Sequence, residues 1–229
     1  LGVHPVAEGI DIIPHAQCFN GGIYINKNAD AGIPGLYAAG EAAGGPHGAD
    51  RLGGAAIAAA QVFGSIAGTQ SSIYAAGITH TEVSDKELES MLAGKFHTGA
   101  GGIVDVQAYM TRIQQIMWEC CAIVRSEERC REGLSEMEAL ALDFDPMSHF
   151  EKNLNIRKAS ELYSFLRLGR ILLSVVRERT DSRGPHYRVD YSGKNPDFEG
   201  ALIVKRQGQD CIISLKKAKG RDKACTGQL

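Results

Sequence analysis

The 229-residue sequence predicts an α/β region followed by an all-α region, a three-helix bundle that ends in a short β tail. Three observations predict this. Residues 1–68 are rich in Gly and Ala and poor in charge, whereas residues 105–183 are rich in Glu and Arg. In the second stretch apolar residues recur every three or four positions, the period of an amphipathic helix. In Ala201–Arg206 and Cys211–Leu215 they alternate instead, the period of a strand.

Taken in order, Leu36–Ala39 reads as a short apolar strand, Gly40–Gly54 as a loop with six glycines, and Ala55–Ala67 as a helix of small residues. Between Thr69 and Gly102 the residues Gly77, Gly94 and Gly99-Ala100-Gly101-Gly102 mark loop. A short helix is expected there at Ser84–Leu92, capped by Ser84 with Glu87 three residues on. Val106, Met110, Ile113, Met117, Cys120, Cys121 and Val124 form the first helical stripe of the bundle. Leu162, Phe165, Leu166, Gly169, Leu172, Leu173 and Val176 form the second, with a shorter helix at Glu127–Leu142 between them. Gly184-Pro185 ends the last helix. These elements divide the chain into an α/β part at 1–68, a connecting segment at 69–104, a helical domain at 105–205 and a tail at 206–229. Beyond its strand that tail, basic from Lys216 to Lys223, is expected to be solvated and disordered.

Bulk properties exclude several classes of function. With 44% hydrophobic residues the chain can bury a real core, and a net charge of -2 with pI near 6.4 offers nothing to nucleic acid or an anionic membrane. No apolar run approaches the roughly 18 residues that span a bilayer, so direct membrane insertion is not expected. Cysteines at 18, 120, 121, 130, 211 and 225 lack C-x-x-C spacing and read as reduced thiols of a cytoplasmic protein, Cys120 and Cys121 as small core hydrophobes. A soft metal at that vicinal pair is the lesser alternative, and no cysteine cluster could hold iron and sulfur. Leu1 in place of an initiator methionine raises the expectation that the chain begins partway through a longer product.

The chemistry is concentrated between Gly35 and Gly54. A strand, a glycine loop and a helix starting near Gly53 or Gly54 let backbone approach a flat or phosphorylated ligand, with free N–H groups and the positive end of the helix dipole aimed at it. Glycine loops of this kind also occur without a ligand. Glu41 and Arg51, set in an otherwise apolar stretch with only Asp50 beside them, tip the reading toward a site, because charged groups are rarely kept there without partners.

The run Gly35-Leu36-Tyr37-Ala38-Ala39-Gly40-Glu41, followed by His47-Gly48-Ala49-Asp50-Arg51-Leu52-Gly53-Gly54, resembles the flavoprotein family of succinate dehydrogenase, fumarate reductase, L-aspartate oxidase and the flavin subunit of adenylylsulfate reductase. Its usual pattern is GLYAAGE and then HGANRLGGNSL, so Asp50 stands where Asn is usual. Gly21-Gly22-Ile23 is similar to the family's G-G-I turn, and Val62-Phe63-Gly64 with Ala67-Gly68 to the end of its helix. Arg179-Thr180-Asp181-Ser182-Arg183-Gly184-Pro185-His186-Tyr187-Arg188-Val189-Asp190-Tyr191 is similar to its R-x-E-S-R-G-A-H-x-R-x-D-x-P. The likeness covers roughly residues 1–205.

The resemblance implies that 1–68 is the carboxy-terminal portion of a Rossmann-like FAD-binding domain, and it implies FAD as cofactor of the full-length protein. Gly40 and Glu41 would hold its ribityl and ribose side, and the backbone of Ala56 and Ile57 would lie against the isoalloxazine. Arg51 would be the catalytic arginine that binds a substrate carboxylate, its alternative being a helix-terminal salt bridge. His47 would donate to the same substrate or fix the loop. The second substrate histidine of the family falls at Gln17, with His15 two residues earlier; Gln17 can donate one hydrogen bond but carries no charge. The expected reaction is hydride transfer between flavin and a small carboxylate or dicarboxylate. The expected partner is an iron–sulfur electron-transfer subunit, with membrane association only through such a partner. The family's G-x-G-x-x-G loop and capping domain, which carries the acid/base arginine, lie outside these residues, so the isolated chain is expected to be inactive. The alternative is a non-catalytic interaction module or split subunit that docks an electron-transfer partner. The motif around Arg183 is expected to tie the helical bundle to the flavin domain.

Overall fold

The computed structural model describes residues 17–79, 82–93, 105–143, 156–207 and 210–217. The chain divides into two compact units, Leu1–Gly77 and Ile78–Leu229. The expectations for Gly94, Gly99–Gly102, His15, Cys225 and the last basic residues lie outside the described residues.

In the first unit β1 (Ile23–Tyr24) pairs in parallel with β2 (Ala43–Gly44), Ile23 opposite Ala43 and Tyr24 opposite Gly44. Glycine is dictated at this crossing. A Cβ on Gly22 would stand 2.5 Å from the Ala42 carbonyl oxygen, and one on Gly44 would stand 2.6 Å from the Gly22 nitrogen. Behind the pair Ile25, Ala29, Ala38 and Ala43 form a small core against Phe63, Ile66 and Ala67 of α1 (Ala55–Ala76).

Two expectations are corrected here. The strand expected at Leu36–Ala39 reduces to one bridge between Tyr37 and Asp30. The bridge is made by Ala31 N–H to Leu36 O and Ala38 N–H to Ala29 O, both at 3.1 Å, while Leu36 N–H is taken by a tight turn to Ile33 O at 2.9 Å, with Gly35 at φ 80°. Helix α1 runs on to Ala76 rather than stopping at Ala67, because nothing between them breaks it before Gly77. None of its 22 residues is buried, and Ile57, Val62 and Ile73 are all more than half exposed.

In the second unit α2 (Asp85–Ala93) begins with the predicted reciprocal cap. Glu87 N–H donates to Ser84 Oγ at 3.3 Å, and Ser84 N–H donates to Glu87 Oε2 at 3.0 Å. Asp105 caps α3 (Val106–Cys121) by accepting from the N–H groups of Gln107 and Ala108. α3, α4 (Glu127–Asp143) and α5 (Ile156–Glu178) pack as three helices around Ile113, Ile116, Cys120, Cys121, Cys130, Met137, Leu162, Leu166, Leu173 and Val176. Gly133 and Gly169 permit the close approach: a Cβ on Gly133 would lie 2.8 Å from Cys120 Cβ, and one on Gly169 would lie 2.8 Å from Met137 Cε. Two members of the predicted stripes fall away. Val124 leaves the helix for β3 (Val124–Arg125), and Phe165 is 48% exposed. β3 pairs in parallel with β4 (Tyr187–Arg188).

The predicted strands enlarge to β5 (Gly200–Gln207) and β6 (Asp210–Lys217), an antiparallel hairpin with Leu202 opposite Leu215 and Val204 opposite Ile213. The hairpin takes Lys216 and Lys217 out of the tail expected to be disordered. No helix of the described residues is long and apolar enough to cross a membrane.

Between α5 and the hairpin lies a knot of paired charges. Arg188, fully buried, donates to both oxygens of Asp190 at 2.8 and 2.7 Å and to the carbonyls of Val176 and Arg177 at 2.8 and 2.9 Å. It thereby closes the open carbonyl end of α5. Asp190 in turn accepts from the Glu127 N–H at the start of α4. Asp181, also fully buried, accepts from Arg179 at 3.0 Å and from Arg183. The motif expected to join the bundle to the flavin domain therefore finds its described partners inside the second unit.

Candidate functional site

The residues singled out in the sequence lie in the first unit, on two stretches of chain. The loop from Gly40 to Gly54 brings Glu41, His47 and Arg51, and the segment Gln17–Asn20 crosses it. Four hydrogen bonds join them. Phe19 N–H donates to Glu41 Oε1 at 2.9 Å, and Asn20 Nδ2 donates to Ala49 O at 3.4 Å and to Asp50 Oδ1 at 3.5 Å. Arg51 Nη2 donates to Cys18 Sγ at 3.0 Å. Asp50 Oδ1 also accepts from the Arg51 N–H at 2.8 Å.

Arg51 is half-buried, and none of the ion pairs among the described residues includes it. Its Nε is buried without a partner among those residues. Among the described residues the side-chain partner of this partly buried guanidinium is the Cys18 sulfur, and no carboxylate pairs with it. The helix-terminal salt bridge considered as its alternative is not formed among the described residues.

The loop backbone is open. Gly40, Gly48 and Gly54 hold left-handed φ values of 69°, 58° and 82°, and a Cβ built on any of them meets nothing within 4 Å. Glycine is required there by conformation, and none of the described residues covers the backbone beside it. Helix α1 opens onto this loop behind Gly54, with no acidic residue in its first turn to offset the positive dipole end. Ala56 is half-buried and Ile57 is 71% exposed at this end, beside Leu52 at 84%. His47 is half-buried and Gln17 exposed.

Sequence reasoning missed Cys18 and Asn20, which touch Arg51 and Asp50 across some thirty residues of chain; apart from their nearness to the Gly21-Gly22 turn nothing marks them. It also missed the tie from Glu41 to Phe19. Cys120, Cys121 and Cys130 are packing groups of the helical core. Burial pushes the thiols of Cys120 and Cys121 up and that of Cys130 to about 11, so they stay protonated and unreactive. No group of metal-binding side chains occurs among the described residues.

Comparison with known proteins gives two family matches. The family described as "Fumarate reductase flavoprotein C-term" matches residues 110–219, and that described as "FAD binding domain" matches residues 2–57. A CoM/CoB fumarate reductase polypeptide of Methanothermobacter marburgensis is 30% identical over 220 residues, 93% of this chain and 39% of that protein. The fumarate reductase flavoprotein subunit of Escherichia coli is 31% identical over 202 residues, 83% of this chain and 33% of that one. In the solved structure of Mycobacterium smegmatis Sdh1 in complex with UQ1, one chain superposes with a TM-score of 0.74 at 26% identity. That match covers 86% of this chain and 35% of the other. The chain thus spans less than two fifths of the length of these relatives.

Proposed function

Because the chain belongs to the succinate dehydrogenase and fumarate reductase flavoprotein family, we propose that it is the carboxy-terminal part of an FAD-dependent oxidoreductase acting on a small carboxylate. Arg51 carries this reading. It is a half-buried guanidinium with no carboxylate partner among the described residues, placed beside the glycine loop and the start of a helix.

FAD, when bound, supplies the two-electron hydride chemistry. Gly40 and Glu41 would hold its ribityl and ribose side, and the amides of Ala56 and Ile57 would present the positive end of α1 to the ring system. The exposed side chains of Leu52 and Ile57 give that end an apolar border. Arg51 receives the substrate carboxylate through its guanidinium fork and fixes the carbon skeleton for transfer. His47 and Gln17 add hydrogen-bond donors to the same substrate. The proton donor or acceptor comes from a capping domain outside these residues, so the chain by itself is inactive. Electrons pass to or from an iron–sulfur partner subunit, through which the protein reaches the membrane.

A second reading, a non-catalytic module that docks an electron-transfer partner, is favoured by Gln17 in the place of the family's substrate histidine. The visible absorption spectrum of the product of the complete reading frame separates the two. Flavin bands that bleach with succinate or aspartate, or recover with fumarate after reduction, support the oxidoreductase. A folded protein without flavin bands selects the module.

A further inference from the structure

We infer that the segment Cys18–Asn20 is a positioning strap for Arg51, in which Cys18 aims the guanidinium and Asn20 steadies the residue that precedes it. The inference rests on the reading of Arg51 as the carboxylate-binding residue and deepens it. An arginine that must receive a carboxylate poses a physical difficulty. It has to be held in one direction, because a long side chain loses rotamer freedom on binding and a small misplacement of substrate is costly. A protein carboxylate would hold it firmly but would neutralise it and compete with the substrate.

The strap resolves this with neutral groups. Cys18 Sγ accepts from Arg51 Nη2 at 3.0 Å, a directional contact with no charge. Arg51 Nε, buried and without a partner among the described residues, adds no hold of its own, so the sulfur is the side-chain contact that sets the fork's direction. The main chain of Arg51 is fixed from the other side. Asp50 Oδ1 accepts its N–H at 2.8 Å, and Asn20 Nδ2 reaches both that oxygen and the Ala49 carbonyl. Glu41 anchors the strap through Phe19 N–H at 2.9 Å. Two neighbouring residues of one segment thus hold the side chain and the backbone of one arginine, while the family motif that carries Arg51 contains neither of them.

The test is steady-state kinetics on the full-length flavoprotein with the carboxylate that it turns over, alongside flavin content and thermal melting. Cys18→Ala is expected to raise KM about tenfold with kcat nearly unchanged, because a carboxylate contact made equally in ground and transition states is weakened. Cys18→Ser, whose hydroxyl accepts the same hydrogen bond, is expected to stay within about twofold of the wild-type KM. Asn20→Ala is expected to raise KM about threefold. An unchanged KM in Cys18→Ala, or lost flavin binding as its effect, makes the strap merely structural and overturns the inference while the oxidoreductase reading stands. A wild-type protein that turns over no carboxylate overturns both.

Discussion

Arg51 in the first unit and Arg188 in the second are both withdrawn from water, and their charges are handled in opposite ways. Arg188 is saturated: two carboxylate oxygens of Asp190, the last carbonyls of α5 and the more distant Glu127 leave it nothing further to bind. The hydrogen bonds from Arg188 hold Asp190 down to about 2, and those to Asp190 raise Arg188 further. Arg51 has a thiol and an idle Nε. A buried charge whose partners are all internal closes a structure, whereas Arg51, short of partners among the described residues, fits the carboxylate-binding role proposed for it. The same residue type thus marks a strut in one unit and a candidate site in the other, and partner count tells them apart.

Substitutions can break or sharpen this contrast. The largest effect is expected at Asp181, where burial would raise the carboxyl but the hydrogen bonds from Arg183 and Arg179 outweigh it and hold it below the ordinary range. Asp181→Ala leaves both guanidinium groups short of their carboxylate and should cost about 3–5 kcal/mol in urea unfolding. A loss under about 1 kcal/mol would show that the knot is not a strut. Arg51→Ala should do the reverse. Stability and flavin content stay near wild type while kcat/KM for the carboxylate falls by about a hundredfold or more; unchanged turnover removes Arg51 from the site.

A smaller effect depends on pH. Burial and the neighbouring Arg125 charge lower His186 to about 4, and in its neutral form its Nδ1 accepts from Arg125 at 2.8 Å. The unfolded chain therefore binds this proton where the folded one does not. The stability contribution is complete above about pH 6.5, declines as pH falls toward 4 by at most about 1.4 kcal/mol per unit, and is flat below. Denaturation midpoints of the wild type and His186→Gln across this range check it, since the variant should lose that part of the slope. Smallest of all, Arg177→Ala removes a half-exposed pair with Glu127 and should shift stability by less than about 1 kcal/mol in the same urea titration. A larger shift would mean that the knot extends to its rim.

The helices of the second unit were legible because their signals are local. Stripes at three and four residues announced α3 and α5, and the Ser84 to Glu87 spacing announced the start of α2. Ile116 and Met137, buried at the centre of the bundle, were missed because a stripe records periodicity and not depth. In the first unit the motif from Gly35 to Gly54 located the candidate site. The strand expected at Leu36–Ala39 was reduced to one bridge, since Gly35 and the 33–36 turn took the Leu36 N–H. The Cys18 contact with Arg51 spans 33 residues and follows no period, so no window of sequence contains it.

By itself the sequence determined where the main helices lie, how α2 is capped, which loop must be glycine and which family's motifs the chain carries, because propensity, period and φ requirements act over a few neighbouring residues. Only the tertiary structure decided which of the described arginines are neutralised and that Arg51 has no ion pair among those residues. A charge is satisfied by whatever folding brings within about 3 Å of it, and chain order says nothing about that.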